Sequence, residues 1–392
     1  MKSIYFIIIT LTCSLIACNT RKESSDSKNI QEYYDLSKAT PAELTKVFED
    51  VELIPLLFDG DEYPSQFYTM NCIDSLILLQ DYSENIYVFT REGHYKSSSK
   101  LVHGQGPGEI DIFMGYSWNP FSGTIQVLTP NKMLCYDTDF NFVEECALPG
   151  RIDPTGKNTL LFTQIYDLSE NNHLLTPFST PFYKDCYVNY NSKTGELGDT
   201  IDYSKYIITY GNMQSKKFFQ LNNNEYLVKP PFIGDYIYSF NPNELSFIPK
   251  IKFDMGAERL TKEEVADHSD KDNQNAIFEY LGNSDRPVVE GAHPTPDKIF
   301  FYISHGNRFD KMEVMVANRK SGEINKFKYR NGSKFYFPPM LDMDNDYVYS
   351  GVTKLELIDS PDLLLGENLD LDTLLKDYDD DTLIVLKYKI KK

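Results

Sequence analysis

Short apolar runs separated by turn residues make up most of this chain. Aromatic and β-branched residues fill five or six positions before each turn, as in LILLQD, NIYVF, TIQVL, YIYSF and EVMVA. The 28 Tyr and 25 Phe, against a single Trp, suit pleated sheets better than helices. The pattern therefore predicts an all-β fold.

One strand–turn–strand unit recurs along the chain. It is found in VFTREGHYKS, CYDTDFNFVE, NYNSKTGELG, SFNPNELSFI and VANRKSGEIN, and each turn contains Gly, Asn, Asp or Pro. The residues that precede the five turns are 47, 54, 50 and 77 positions apart, and a sixth such strand, Leu383 to Ile390, ends the chain. This spacing predicts a six-bladed β-propeller of four-stranded antiparallel blades. A sandwich of two sheets is the alternative.

The longest interval requires an insertion, and a helical pattern near residues 261–282 supplies one. It opens with Thr261 and Glu264 at capping-box spacing. A second helix is predicted near 368–376, and a short N-terminal helix over 42–48. The strand VELIPL (51–56) should then complete the last blade beside the C-terminal strand, which closes the ring and removes exposed sheet edges.

The N-terminus has the pattern of an export signal. Lys2 precedes an apolar run, Ile4 to Ala17, that is too short to span a bilayer comfortably, and Leu15-Ile16-Ala17-Cys18 resembles the lipobox of bacterial lipoproteins. That resemblance implies cleavage before Cys18, with lipid on its sulfur and an acyl group, such as palmitate, on its amino group. An ordinary signal peptide is the alternative. The expected organisation is a signal peptide (1–17), a flexible tether (18–40) and a single propeller domain (41–392).

Several of these segments together resemble a known family. VELIPL, then LILLQDYSENIYVFTREGHY, then GQGPGE, and the ending DDDTLIVLKYKIKK are similar to the six-bladed β-propeller lipoproteins of Bacteroidota-type bacteria. The family pattern has an Asp after a strand (Asp81), a hairpin ending in Gly (Gly93) and a G-x-GPGE turn. Ile110 stands where the family has an aromatic residue. The resemblance implies the propeller fold and no established activity.

The stretch HGQGPGE combines three glycines with a proline. A dinucleotide fingerprint needs a third glycine one residue later and a helix afterwards, and a P-loop needs Gly-Lys-Ser/Thr, so neither nucleotide motif is present. A blade-to-blade turn and a ligand-facing loop both stay open, and Glu109 is placed to accept backbone N–H bonds within the loop. The candidates for ligand-facing residues are His103, Gly104, Gly106, Pro107, Gly108, Glu109 and, in another loop, His305.

The net charge of the chain limits the class of partner that it can bind. The formal net charge is −19, and loss of Lys2 with residues 1–17 makes it −20, which disfavours nucleic-acid partners.

Four cysteines remain outside the signal peptide and the lipid site, and they are predicted to be buried, reduced thiols because none has C-x-x-C spacing: Cys72, Cys135, Cys146 and Cys186. In the predicted hairpin Cys135 faces Glu144, so Cys135 and Cys146 form a diagonal pair that is poorly placed for a disulfide.

The known metal-binding and catalytic motifs are incomplete or absent in this sequence. The series Asp137, Asp139 and Asn141 begins like a calcium loop, but the required Gly and Glu are absent, and Asp342 to Asp346 fails in the same way. The six histidines have no zinc-ligand spacing, and neither G-x-S-x-G nor H-E-x-x-H occurs. No metal, cofactor or catalytic residue is therefore predicted.

Three classes of function fit this sequence. The favoured class is a membrane-anchored binding or scaffolding module of the cell envelope for a peptide, glycan or protein partner, on the outer rather than the inner membrane. The second is a metal-dependent hydrolase or lyase with its site in the propeller channel. The third is a structural subunit of an envelope complex.

Overall fold

A computed structural model gives the arrangement of these elements. It describes residues 29–58, 67–73, 75–148, 151–152, 159–177, 185–202, 218–222, 225–230, 234–242, 244–261, 264, 267–268, 276–306, 308–332, 334–366 and 370–392. Cys18 and the rest of residues 1–28 lie outside these ranges, as does the side chain of Cys186.

Six antiparallel sheets of four principal strands form a ring, so the predicted six-bladed β-propeller is confirmed. From the innermost strand outward, the first three blades are Phe67–Ile73, Leu76–Asp81, Ile86–Thr90 and Tyr95–Ser98 (blade 1); Gly115–Asn119, Thr124–Leu128, Lys132–Tyr136 and Phe142–Ala147 (blade 2); Phe162–Asp167, Asn172–Pro177, Asp185–Asn191 and Glu196–Asp202 (blade 3). The others are Phe218–Asn222, Glu225–Val228, Tyr236–Asn241 and Ser246–Asp254 (blade 4); Pro287–Pro294, Lys298–His305, Arg308–Asn318 and Ile324–Lys328 (blade 5); Met340–Met343, Tyr347–Thr353, Leu383–Ile390 and Phe48–Pro55 (blade 6).

The two ends of the chain meet in blade 6, as predicted. Phe48–Pro55 pairs antiparallel with Leu383–Ile390, in a register that places Val51 opposite Tyr388. Each strand therefore satisfies backbone groups of the other, and the ring is closed by hydrogen bonds between its termini.

The N-terminal segment adds an outer edge to two further blades. Glu32–Asp35 pairs parallel with the outer strand of blade 4, and Thr40–Pro41 pairs parallel with that of blade 5. Residues 32–40 of the predicted tether are thus bound to the propeller, because the outer edges of these blades offer unpaired backbone groups. The Gln31 amide also donates to the Lys250 carbonyl at 2.8 Å. A flexible tether over residues 18–28, which lie outside the described residues, stays a prediction.

The predicted N-terminal helix over 42–48 is wrong. This segment contains one 3-10 turn, Leu44–Lys46, and the strand already begins at Phe48. Pro41 is paired with the outer strand of blade 5 and Phe48 with the C-terminal strand in blade 6, so the residues between them connect two blades, and tertiary pairing overrides local helix propensity.

Both predicted helical insertions are present. Thr261 and Glu264 form the reciprocal hydrogen bonds of a capping box, and helix α1 (Ala276–Asn283) ends that insertion. The insertion of blade 6 contains α2 (Lys354–Asp359), which was not predicted, and α3 (Leu371–Leu374).

The remaining short elements are two small hairpins and isolated 3-10 turns. They are Arg151–Ile152 with Thr159–Leu160, Arg330–Asn331 with Lys334–Phe335, and the 3-10 turns Leu36–Lys38, Ser99–Val102, Gly256–Glu258 and Pro361–Leu364. None of the helices within the described ranges is long and apolar enough to cross a membrane.

The middle strands explain why the apolar runs are continuous. Leu76–Asp81 and Ile86–Thr90 are buried along nearly their whole length, because a blade packs against a neighbouring blade on each face. Connections between strands 2 and 3, and between consecutive blades, emerge at one end of the ring, which we call the crossover face. The turns between strands 1 and 2 emerge at the opposite end, the hairpin face.

Candidate functional site on the crossover face

The Gly-rich loop between blades 1 and 2 folds around its own carboxylate. Glu109 Oε2 accepts a hydrogen bond from the Gly106 amide at 2.7 Å. A Cβ on Gly104 would lie 2.0 Å from the same oxygen, so a larger residue there would displace the carboxylate from this hydrogen bond. The carboxylate therefore fills the space that the missing side chain leaves, and this contact explains both the glycine and the acid of the motif.

The second half of the loop is fixed to blade 2. Gly108 has φ +72°, and a Cβ there would lie 2.8 Å from the Phe142 ring. The Gly108 carbonyl also accepts a hydrogen bond from Tyr136 Oη at 2.9 Å. The loop has the geometry of a rigid blade-to-blade turn. A ligand-facing role for Gly104, Gly106, Pro107, Gly108 and Glu109 stays a prediction.

His103 lies at the base of this loop. Its backbone bridges to Ile110, and its Nε2 lies 3.4 Å from Ser99 Oγ, which accepts a hydrogen bond from the Ile86 amide. Burial lowers the pKa of His103, although the nearby carboxylates of Glu84 and Asp81 oppose the shift. The imidazole is therefore neutral at pH 7.

His305 belongs to a different part of the ring. Its Nε2 lies 3.2 Å from Glu313 Oε2, and this hydrogen bond raises the pKa of His305. Lys326 Nζ holds the other oxygen of Glu313 at 2.8 Å. Because blade 5 does not adjoin blade 1, the structure does not bring His305 together with His103 into one site.

Large exposed apolar side chains are concentrated on the crossover face of three consecutive blades. Six of them form what we call the apolar arc of blades 6, 1 and 2: Tyr82, Leu101, Ile112, Leu355, Ile358 and Leu374. Leu101 is 89% exposed and Tyr82 64%. On the hairpin face of blade 2, Phe121 lies in the turn between strands 1 and 2, and Phe142 and Val143 follow the turn between strands 3 and 4; these three are also exposed. The loops of the crossover face thus carry more exposed apolar side chains than the hairpin turns, and exposed apolar surface is a feature of interaction sites.

Polar side chains join the innermost strands of neighbouring blades. Asn71 Nδ2 donates to Tyr116 Oη at 2.9 Å, and the Cys72 amide donates to Asp342 Oδ2 at 2.7 Å. Burial raises the pKa of Tyr116 to about 12. These bonds link blade 1 to blades 2 and 6, so the wall around the axis is held by hydrogen bonds across blades.

Comparison with known proteins places the chain in a family. A family model described as a domain of unknown function (DUF4934) matches residues 28–386. The chain belongs to the DUF4934 family.

Two solved structures from Bacteroides are similar to this DUF4934 protein. A protein of Bacteroides fragilis NCTC 9343, described as exported, is 16% identical with a TM-score of 0.69, and the match covers 92% of this chain and 99% of that one. A member of the DUF4221 family from Bacteroides vulgatus is 14% identical with a TM-score of 0.48, covering 88% of this chain and 98% of that one. The likeness to the Bacteroides fragilis protein supports the predicted fold. A search among curated proteins gave no match.

Three residues of the DUF4934 protein form a hydrogen-bonded chain that the sequence reasoning missed. His173 Nδ1 lies 2.7 Å from Asp167 Oδ1, and His173 Nε2 lies 3.1 Å from Ser192 Oγ. His173 is fully buried, and burial raises the pKa of Asp167. These bonds join strands 1 and 2 of blade 3 to the turn after strand 3. The direct strand pairing of Asp167 with His173 was the available signal, since both flank one hairpin turn.

A second missed group is Lys229, in the connection between strands 2 and 3 of blade 4. Its side chain is 4% exposed, and Nζ donates to the Pro230 carbonyl at 3.1 Å. Burial lowers the pKa of Lys229 to about 8, against the opposing charges of Glu290 and Asp235. A nearby cleft between blades 4 and 5, lined in part by Asp235 and Arg259, has a volume of about 20 Å³, which is room for about one water molecule.

One aspartate in each of the two calcium-like segments, Asp137 and Asp344, closes the turn in which it lies. Asp137 Oδ1 accepts hydrogen bonds from the amides of Asp139 and Asn141. Asp344 Oδ1 likewise accepts from the amides of Asp346 and Tyr347. Each carboxylate is therefore occupied in closing its own turn.

The predicted pairing of the cysteine hairpin is confirmed. Cys135 lies opposite Glu144 and Cys146 opposite Met133. Cys135 and Cys146 are buried, Cys72 is half-buried, and none of the three is in a disulfide. A hydrogen bond between the two thiols lowers the pKa of Cys146 and raises that of Cys135.

Proposed function

We propose that this protein is an exported, lipid-anchored β-propeller of the cell envelope that binds a partner through the apolar arc. The observation that carries the proposal is the concentration of exposed apolar side chains on the crossover face of blades 6, 1 and 2. A monomeric soluble protein rarely leaves such surface uncovered unless it serves an interaction. Leu101 and Ile112 flank the Gly-rich turn in sequence, on either side of the backbone bridge between His103 and Ile110.

The chemistry of the arc favours a peptide or protein over a glycan. Five of its six members are Leu or Ile, and Tyr82 is the one aromatic ring on which a sugar could stack. Leucine and isoleucine gain by excluding water from an apolar partner surface, about 25 cal/mol for each Å² buried. Because the chain has a net charge of −19, electrostatic repulsion disfavours an acidic partner, and we expect the partner surface at the interface to be neutral or basic.

A photo-crosslinking amino acid at position 101 tests this binding surface. We expect it to capture one dominant envelope protein or peptide in living cells, because Leu101 is almost fully exposed within the arc. Ile112→Asp in the same molecule should abolish the crosslink by placing a charge in an apolar contact. The matched control carries the crosslinker at Phe121 on the hairpin face, where we expect no such product. Equal products at both positions, or none at 101, would contradict the proposal.

The lipid anchor is tested by Cys18→Ala. Without the sulfur that accepts the lipid, the chain should accumulate as uncleaved precursor or be released in soluble form, as measured by fractionation and the mass of the N-terminus. Cys13→Ala is the control, since Cys13 lies within the predicted signal peptide and is removed with it. Membrane attachment that survives Cys18→Ala would refute the anchor and leave the binding surface unaffected.

A further inference from the structure

The outer hairpin of blade 2 gathers three metal-ligating side chains. Cys135 lies in strand 3 directly opposite Glu144 in strand 4, and Cys146 lies two residues beyond Glu144. Because side chains alternate across a strand, all three project from the same face of the hairpin. The two sulfurs and a carboxylate oxygen lie within 4.8 Å of one another.

We propose that Cys135, Cys146 and Glu144 bind a thiophilic divalent cation of the zinc class, with a fourth position open to solvent. Zinc is bound at about 2.3 Å by thiolates and about 2.1 Å by carboxylates, so ligand atoms in a tetrahedral site are about 3.5–3.8 Å apart. Small side-chain rotations bring the observed atoms to that separation. Two sulfurs and one oxygen are a donor set that prefers zinc to calcium or magnesium.

The burial of the three residues suits an ion that enters from the outer rim. Cys135 is 1% exposed and Cys146 8%, whereas Glu144 is exposed on the outermost strand. The thiols lie in the apolar core between blades 2 and 3, near Val188 and Tyr190. The carboxylate at the surface would thus guide the ion to a buried pair of sulfurs, and solvent would supply the remaining ligand.

The strand register favours metal binding over a disulfide. Diagonal neighbours in an antiparallel pair have Cα atoms about 7–8 Å apart, whereas disulfides need about 4.4–6.8 Å. A bond between Cys135 and Cys146 would therefore require the backbone of the hairpin to move. An ion bridging the sulfurs requires only side-chain adjustment.

The experiment is a titration of the reduced protein with Co²⁺, followed by competition with Zn²⁺. We expect one equivalent of Co²⁺ with the intense near-ultraviolet absorption of thiolate-to-cobalt charge transfer, and its loss when Zn²⁺ is added. Cys135→Ser and Cys146→Ser should abolish this absorption. Glu144→Gln should weaken binding by more than about tenfold, and because Glu144 is exposed, this variant retains the fold.

Matched controls come from the same strand and from another blade. Glu145 lies next to Glu144 but projects from the opposite face, where it accepts from Lys132 Nζ at 3.2 Å, so Glu145→Gln should bind Co²⁺ normally. Cys72→Ser removes a thiol in blade 1 and should also have no effect. No charge-transfer absorption, absorption that persists in Cys146→Ser, or a Cys135–Cys146 disulfide in protein isolated from cells would each overturn the proposal.

Discussion

His173→Ala should lower the free energy of unfolding by about 3–5 kcal/mol. His173 is fully buried and holds the buried Asp167 carboxylate at 2.7 Å and Ser192 Oγ at 3.1 Å. Alanine leaves the carboxylate in a low-dielectric site without its shortest hydrogen bond, and it also leaves a cavity. The remaining contact of Asp167 Oδ2 with Ser117 Oγ, at 3.5 Å, is too long to compensate.

The decrease in the free energy of unfolding caused by His173→Ala should depend on pH. Burial raises the pKa of Asp167, and the hydrogen bond from His173 opposes that rise. Without His173 the pKa of the folded protein rises further above its unfolded value. A carboxyl with a raised folded pKa favours folding in its protonated form, so this contribution is full at low pH and is lost as the pH rises through the folded pKa. The difference between wild type and variant should therefore be largest near pH 7 and shrink toward about pH 4.

Urea unfolding at both pH values measures this effect. His94→Ala is the control, because His94 lies exposed in a hairpin turn and its replacement should change stability by no more than about 0.5 kcal/mol. A variant of His173 that unfolds at the same urea concentration as wild type would show that the hydrogen-bonded chain does not stabilise blade 3.

Phe48→Ala should cost about 3–5 kcal/mol in the free energy of unfolding. Phe48 begins the strand that closes the ring and is 1% exposed. Its ring lies 4.8 Å from that of Tyr388 in the C-terminal strand, 5.9 Å from Phe337 and 6.3 Å from Phe300 in blade 5. One side chain thus connects the N-terminal strand to two blades, and its loss weakens the closure of the whole propeller.

Because the closure is non-covalent, we expect Phe48→Ala to lower the urea concentration at the midpoint of one cooperative unfolding transition. We do not expect a second transition at lower urea concentration. Fluorescence and circular dichroism during urea unfolding should coincide if this is so. Phe121→Ala, at a position 51% exposed on the hairpin face, is the matched control and should be nearly neutral. An unchanged midpoint for Phe48→Ala would mean that the closing strand adds no stability to the ring.

Contacts within one hairpin or one helix start could be predicted from the local sequence. The facing pair of Cys135 and Glu144 follows from the position of the turn, because antiparallel register is set by the residues at its centre. The capping box of Thr261 and Glu264 was likewise predicted and is present. Thr353 and Glu356, which form the capping box of α2, have the same spacing, so this helix could also have been predicted, although it was not.

Site chemistry was harder to predict because it depends on strands that lie apart in sequence or on surfaces that only the ring creates. The 11-residue spacing of Cys135 and Cys146 matches no zinc motif, so the sequence pattern does not indicate that Glu144 lies with both thiols. The apolar arc joins loops of blades 6, 1 and 2, and Leu355 and Leu101 are far apart along the chain. Exposure of a leucine is a property of packing, which a residue pattern does not contain.

The repeat, the number of blades and the closure by the two termini could be predicted from the residues alone, because each depends on short-range turn chemistry and strand periodicity. The pairing of Glu32–Asp35 and Thr40–Pro41 with the outer edges of blades 4 and 5, and the 3-10 turn in place of an α-helix over 42–48, are apparent only in the folded ring. Those outcomes depend on which distant backbone groups are left unpaired after the ring has formed. The position of such groups is fixed by the assembled sheet and not by neighbours along the chain.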